Sequence, residues 1–364
     1  MPSVTHLTRS YDENGGTMTS LDQHGLDRSG AHGNAADPHA PLLTVDDLHV
    51  EFRTRDGVLN AVNGVSFSLH EGETLSVLGE SGSGKSVTAQ AVMGIIDTPP
   101  GFITHGRVRF RGEDLLGRDD DFQFRGPHIS MIFQDALSAL NPVFTVGWQI
   151  SEMYRKHYGT SKAEAKQRAI ELMDRVRIPS AASRYSDFPH QFSGGMRQRI
   201  MIAIAIALDP EVLIADEPTT ALDVTVQAQI MSLLRELQLE NHMGLLLITH
   251  DLGVVADVSD RIAVMYAGRI MEKANVNDLY SAPAHPYTLG LLASVPRLDQ
   301  KGQDLTTIQG MPPSLANIPD GCEFHPRCPF RIDRCFTEQP LLRDLAADRR
   351  SACHRAEEVL GGDV

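Results

Sequence analysis

The chain has 364 residues, 41% of them apolar and 22% charged, with a formal net charge of −14. That length is ample for a buried core, and the acidic balance argues against a nucleic-acid-binding face, because phosphate backbones select basic surfaces. No run reaches the ~18 to 20 apolar residues needed to span a bilayer, and no basic-then-apolar leader opens the chain, so a soluble cytoplasmic protein with reduced thiols is expected.

Residues 1–40 are rich in Gly, Ser, Thr, Asp, Asn and His. They offer too little apolar surface to offset their ordering entropy, which predicts a disordered segment. Order is expected to begin at PLLTVDDLHVEFRT. The runs TLSVL (74–78), HISMIF (128–133), EVLIAD (211–216) and MGLLLIT (243–249) read as buried strands bounded by turn residues. Helical patterns follow several of them. The alternation predicts an α/β domain over 41–295, built on a largely parallel sheet. Residues 145–185 hold helix formers and no strand candidate, which predicts a helical insertion. From about residue 296, Pro, Gly and Cys rise and periodicity fades, so 296–364 is expected to be a loop-rich extension.

GESGSGKS (79–86) stands between a predicted strand and a predicted helix and fits G-x-x-x-x-G-K-[ST]. Gly79, Gly82 and Gly84 let the main chain wrap so that N–H groups, with those of Glu80, Ser81, Ser83 and Val87, face phosphate oxygens. The following helix adds the positive end of its dipole. Lys85 is expected to reach the β- and γ-phosphates of ATP, and Ser86 to ligate Mg²⁺. VLIADEP (212–218) then ends a buried strand in Asp216, a second Mg²⁺ ligand, and Glu217, placed to polarise an attacking water. An acidic pair at a strand end is commonly a cap or a solvated turn. Beside a phosphate loop the functional reading prevails.

FSGGMRQR (192–199) decides the class. It resembles the signature motif of ABC-type ATPases, and the other landmarks follow in that family's order. Gln134 matches the Q-loop glutamine, which also approaches Mg²⁺. Asp223 in ALD (221–223) matches the D-loop, and His250 in ITHD the switch histidine. Ser193, Gly194, Gly195 and Met196 open a helix whose free N–H groups form an anion site. In the family that site faces a phosphate held by another ATPase domain, so two cassettes clamp two nucleotides and one chain completes neither site. Phe192 and Met196 depart from the commonest signature without touching its Ser-Gly-Gly core. Phe52 lies where the family stacks adenine, although a strand phenylalanine is more often core.

The resemblance implies a P-loop ABC ATPase domain: a core parallel sheet, an antiparallel β subdomain and a helical subdomain over about 136–195. SALNP (138–142), AHPYTLGLLASVPRLD (284–299) and GMPPSLANIPDGCEFHPRCP (310–329) resemble the ATP-binding subunits of oligopeptide/dipeptide ABC importers. This likeness implies a second ATPase subunit (a heterodimer), two transmembrane permease subunits, an extracytoplasmic peptide-binding protein, and a peripheral place on the cytoplasmic face of the membrane. Nickel or another small solute is an alternative cargo. A soluble nucleic-acid-acting ATPase is opposed by the charge.

All four cysteines fall in one 32-residue window, as Cys322, Cys328, Cys335 and Cys353. Such clustering favours a shared metal over four unrelated thiols. Zinc takes four thiolates but usually in C-x₂₋₄-C pairs, which are absent, and an iron–sulfur cubane tolerates wider spacing. The family's cysteine-bearing tail implies a [4Fe–4S] cluster, with Zn²⁺ as the alternative. His285, His325 and His354 lie nearby as alternative ligands, although loop histidines beside proline are more often surface residues.

Overall fold

The computed structural model describes residues 40–117, 124–220, 222–294 and 308–362. The segment expected to be disordered lies, but for residue 40, outside the described residues. A hairpin opens the fold: β1 (Leu43–Thr54) and β2 (Gly57–Leu69) pair antiparallel. With β4 (Gly101–Phe110) and the short β5 (Glu113–Asp114) they form a four-stranded sheet, ordered β2-β1-β4-β5. Its inward face carries Val45, Val50, Val65, Phe67 and Val108.

The larger sheet has eight strands, ordered β11-β12-β10-β9-β3-β8-β7-β6. Five run parallel: β3 (Thr74–Leu78), β6 (Ile129–Ile132), β7 (Val212–Asp216), β8 (Gly244–Thr249) and β9 (Arg261–Tyr266). Every residue of β3, β6, β7 and β8 is buried. Strands covered on both faces read as continuous apolar runs, which is why these four were visible in the sequence. Among their polar side chains, Ser76 is satisfied by the Ser259 hydroxyl at 2.6 Å.

The sheet is mixed rather than wholly parallel. After β9 the chain reverses over Ala267 and Gly268, both with positive φ (47° and 83°). A two-residue turn of that kind fits the twist of an antiparallel hairpin, and β10 (Arg269–Asn275) returns along β9.

The C-terminal extension is not merely loops. Its strands β11 (Arg343–Ala346) and β12 (Arg349–Ser351) continue the main sheet from β10. They are short and charged, RDLA and RRS, so no apolar periodicity announced them. A buried ion pair fastens this join. Glu272 on β10 is fully buried, accepts the Ala284 N–H at 2.7 Å and faces Arg349 at 3.5 Å. Arg349 also donates to the Ala282 carbonyl.

Helices follow β6. Helices Val146–His157 and Lys162–Arg175 start on the hydroxyl caps Thr145 and Ser161. They bury Ile150, Ala165, Ala169 and Met173 against Ile200 and Ile202 of the helix Gly194–Ile206.

Removing one partner of a buried pair strands the other charge, so Arg349→Ala should cost about 3 kcal/mol of stability. Urea unfolding of the full chain reads this directly. A change within about 0.5 kcal/mol, the scale of a neutral surface substitution, would show that the pair does not fasten the tail.

Candidate functional site

Strand β3 leads into the loop 79–84, the phosphate cradle expected from the sequence. Gly84 caps the helix Lys85–Met93 with φ 102°, and a Cβ there would stand 2.3 Å from the Ala61 carbonyl oxygen. Only glycine fits. Ser81 and Gly82 are exposed, Ser83 is buried with an unpartnered hydroxyl, and Val87 packs on the core beneath. Lys85 is buried and donates to the carbonyls of Gly79 at 2.8 Å and Glu80 at 3.0 Å. Burial lowers its pKa, opposed by the charges of Glu217, Asp216 and Glu80.

Ser86 donates to Asp216 at 3.0 Å, joining the loop to the end of β7. A hydroxyl and a carboxylate held this way are a donor set suited to Mg²⁺. Burial pushes the Asp216 carboxyl above its ordinary range, and neighbouring Glu217 adds to this.

Glu217 has a positive φ of 45°, a backbone state uncommon for a side-chain-bearing residue. Its N–H donates to the Ile248 carbonyl on β8 at 2.8 Å, which fixes the turn. Its carboxylate accepts from Gln134 Nε2 at 3.0 Å and Thr220 Oγ1 at 2.8 Å, and faces His250 Nδ1 at 3.4 Å. Burial pushes this carboxyl up, but the Thr220 hydrogen bond and His250 outweigh it and leave the pKa below the usual value. Glu217, His250 and Gln134 therefore meet in one place. Thr220 is an addition that no motif singled out.

Ser193 caps the helix Gly194–Ile206, its hydroxyl accepting the Met196 N–H at 3.4 Å. Gly195 packs so closely on Val226 that a Cβ would lie 2.7 Å from it. Phe192 is buried under the Arg184 guanidinium, 4.0 Å from the ring centre, and Met196 receives a hydrogen bond from the same arginine. Asp223 caps the helix Val224–Asn241 by accepting the Val226 N–H at 3.0 Å. Among the described residues, no hydrogen bond or ion pair joins 193–196 to 79–87. Phe52 is half-buried and packs against the core beside Gly101.

The four cysteines line one cavity with His285, His325 and His354. All are free thiols. Burial pushes Cys322 up to about 12 and Cys353 up to about 11. The cavity offers about 10 Å³, at the lower edge of what one water needs. Among the described residues, no group of three or more His, Cys, Asp or Glu side chains is arranged to hold a metal ion. The expected [4Fe–4S] or zinc site is thus not supported, although the four thiols line one cavity.

His285 also departs from its surface reading. It is fully buried, and its Nδ1 accepts the Tyr287 N–H at 3.0 Å, capping the helix Pro286–Ala293. Burial pushes its pKa down to about 3, so the ring is neutral.

Two family models match the chain: "ABC transporter" over residues 62–220, and "Oligopeptide/dipeptide transporter, C-terminal region" over 271–335. The Bacillus subtilis dipeptide transport ATP-binding protein DppD is 50% identical over 83% of this chain and 92% of its own length. The chain belongs to the ATP-binding subunits of oligopeptide/dipeptide ABC transporters. The Mycobacterium tuberculosis oligopeptide transport ATP-binding protein OppD is 52% identical over 88% of this ABC chain, which spans about half (53%) of that relative. Among solved structures, the dimeric ATP-binding cassette MJ0796, in a post-hydrolysis state bound to ADP and Pi, superposes with a TM-score of 0.58. It is 27% identical, over 64% of this chain and 98% of its own.

Proposed function

We propose that this chain is the ATP-hydrolysing motor of an ABC importer for di- and oligopeptides, acting on the cytoplasmic face of the membrane. One observation carries the reading. Lys85, the Ser86–Asp216 pair and the Glu217–Gln134–His250 group stand at the ends of neighbouring strands, while the Ser193 helix N-terminus serves none of them. Half of a nucleotide site is assembled, and its counterpart is presented elsewhere.

In this reading the main chain of 79–87 and Lys85 bind the phosphates of ATP. Ser86, Asp216 and Gln134 hold Mg²⁺, which neutralises phosphate charge. Glu217, kept ionised by Thr220 and His250, accepts a proton from the attacking water. Ser193, Gly194, Gly195 and Met196 face the nucleotide of a second cassette, Asp223 borders that interface, and Phe52 stacks on adenine.

The partners proposed are that second ATPase subunit, two permeases and an extracytoplasmic peptide-binding protein, with the ATPase domain over 41–295 and the extension over 296–364. Names of relatives such as DppD and OppD favour peptide cargo. No helix among the described residues is long and apolar enough to cross a membrane, which suits a subunit that docks on separate permeases.

The finer proposal, a [4Fe–4S] cluster or zinc on Cys322, Cys328, Cys335 and Cys353, rests on their shared cavity. Iron, sulfide and zinc analysis of anaerobically purified protein tests it. Stoichiometric metal is the expected result, and a metal-free, fully folded protein would retire the site.

Glu217→Gln removes the proton acceptor and keeps the phosphate contacts. Turnover in the assembled transporter should fall by about 10²- to 10⁴-fold while MgATP still binds. Wild-type turnover would refute the role.

A further inference from the structure

Glu80 puts a carboxylate inside the loop that must receive a polyphosphate. Its charge is already felt at Lys85, and a bound phosphate beside it would be repelled. The structure answers this charge from the far end of the chain. Arg327, 247 residues away, forks the carboxylate with bonds of 2.6 and 3.0 Å. The arginine side chain is 5% exposed and the glutamate 27%, so little solvent screens the pair.

The arginine is itself held in place. Its Nε donates to the Gln309 carbonyl at 3.2 Å, and Nη1 lies 3.4 Å from the Tyr266 hydroxyl. A second contact grips the same loop residue: the Glu80 N–H donates to the Tyr287 hydroxyl at 3.0 Å. Tyr287 sits on the helix capped by His285, and both His285 and the segment around Arg327 border the cysteine cavity. The phosphate loop is therefore held at main chain and side chain by the C-terminal part of the chain, and Arg327 falls between Cys322 and Cys328.

We propose that Arg327 is a positioning residue of the nucleotide site: by neutralising Glu80 it lets the C-terminal extension set the affinity of the phosphate loop for nucleotide. The inference rests on residues 79–86 binding nucleotide, as argued above. It follows that disturbance of the segment 322–335 is transmitted to nucleotide binding.

Equilibrium binding of a fluorescent MgATP analogue to the purified full-length chain tests this. Lys85→Ala is the control for the underlying reading; if it binds like wild type, that reading fails, whatever Arg327 does. Arg327→Ala should weaken binding by about ten- to a hundredfold, the usual worth of a hydrogen-bonded charge. Adding Glu80→Gln to Arg327→Ala should restore most of the loss, and the Arg327→Ala deficit should shrink as salt rises and screens the repulsion. Arg327→Gln, closer in size, carries the same test if the alanine variant does not fold. Wild-type affinity without Arg327, or a double variant no tighter than the single one, would overturn the proposal and reduce the contact to packing.

Discussion

Three parallel strands, β3, β8 and β7, lie side by side with every residue buried, and the site depends on that arrangement. A strand covered on both faces has no room for a working polar group along its length. Such groups can stand only where the strands end, and in an open parallel sheet the carboxyl ends share one edge. β3 runs into the phosphate loop, β7 ends in Asp216 with Glu217 next, and β8 leads to His250. The Glu217 N–H bound to Ile248 shows the coupling in one bond, since it takes its partner from the adjacent strand.

Within that edge the charges are sorted by environment. Asp216 and Glu217 are consecutive, yet burial pushes the first above its ordinary pKa while hydrogen bonding and His250 hold the second below. Neighbouring carboxyls driven apart in this way mark a division of labour. The more buried one is paired with the Ser86 hydroxyl, and the other, on the function proposed above, is the proton acceptor. Lys85 sits among three carboxylates, which offset only part of the cost of burying its ammonium, since its pKa stays below the ordinary value. Glu80, the third, is the one neutralised from the C-terminal side.

Much of this was legible in the sequence, because it depends on local chemistry. TLSVL, VLIAD and GLLLIT announce buried strands, the glycines of 79–84 announce a tight turn from strand to helix, and Ser193 announces a helix start. What was hidden depends on distance along the chain or on burial. Thr220 is one of many threonines until the turn brings it onto Glu217. Arg327 and Tyr287 carry no local signal of a partner some 200 residues away. RDLA and RRS become strands only because β10 offers an edge. His285 looked like a surface residue beside proline, whereas the fold buries it as a cap. The four cysteines line one cavity, but their spacing says nothing about whether it holds a metal.

On the function proposed above, the molecule is one half of a two-part catalyst: among the described residues, no hydrogen bond or ion pair joins 193–196 to the loop 79–87. ATP turnover per mole of chain, followed as chain and partner cassette are raised together in concentration, tests that claim most directly. The account predicts turnover that climbs with concentration and levels off once the cassettes are paired. Full turnover at the highest dilution, unchanged by the partner, would contradict it.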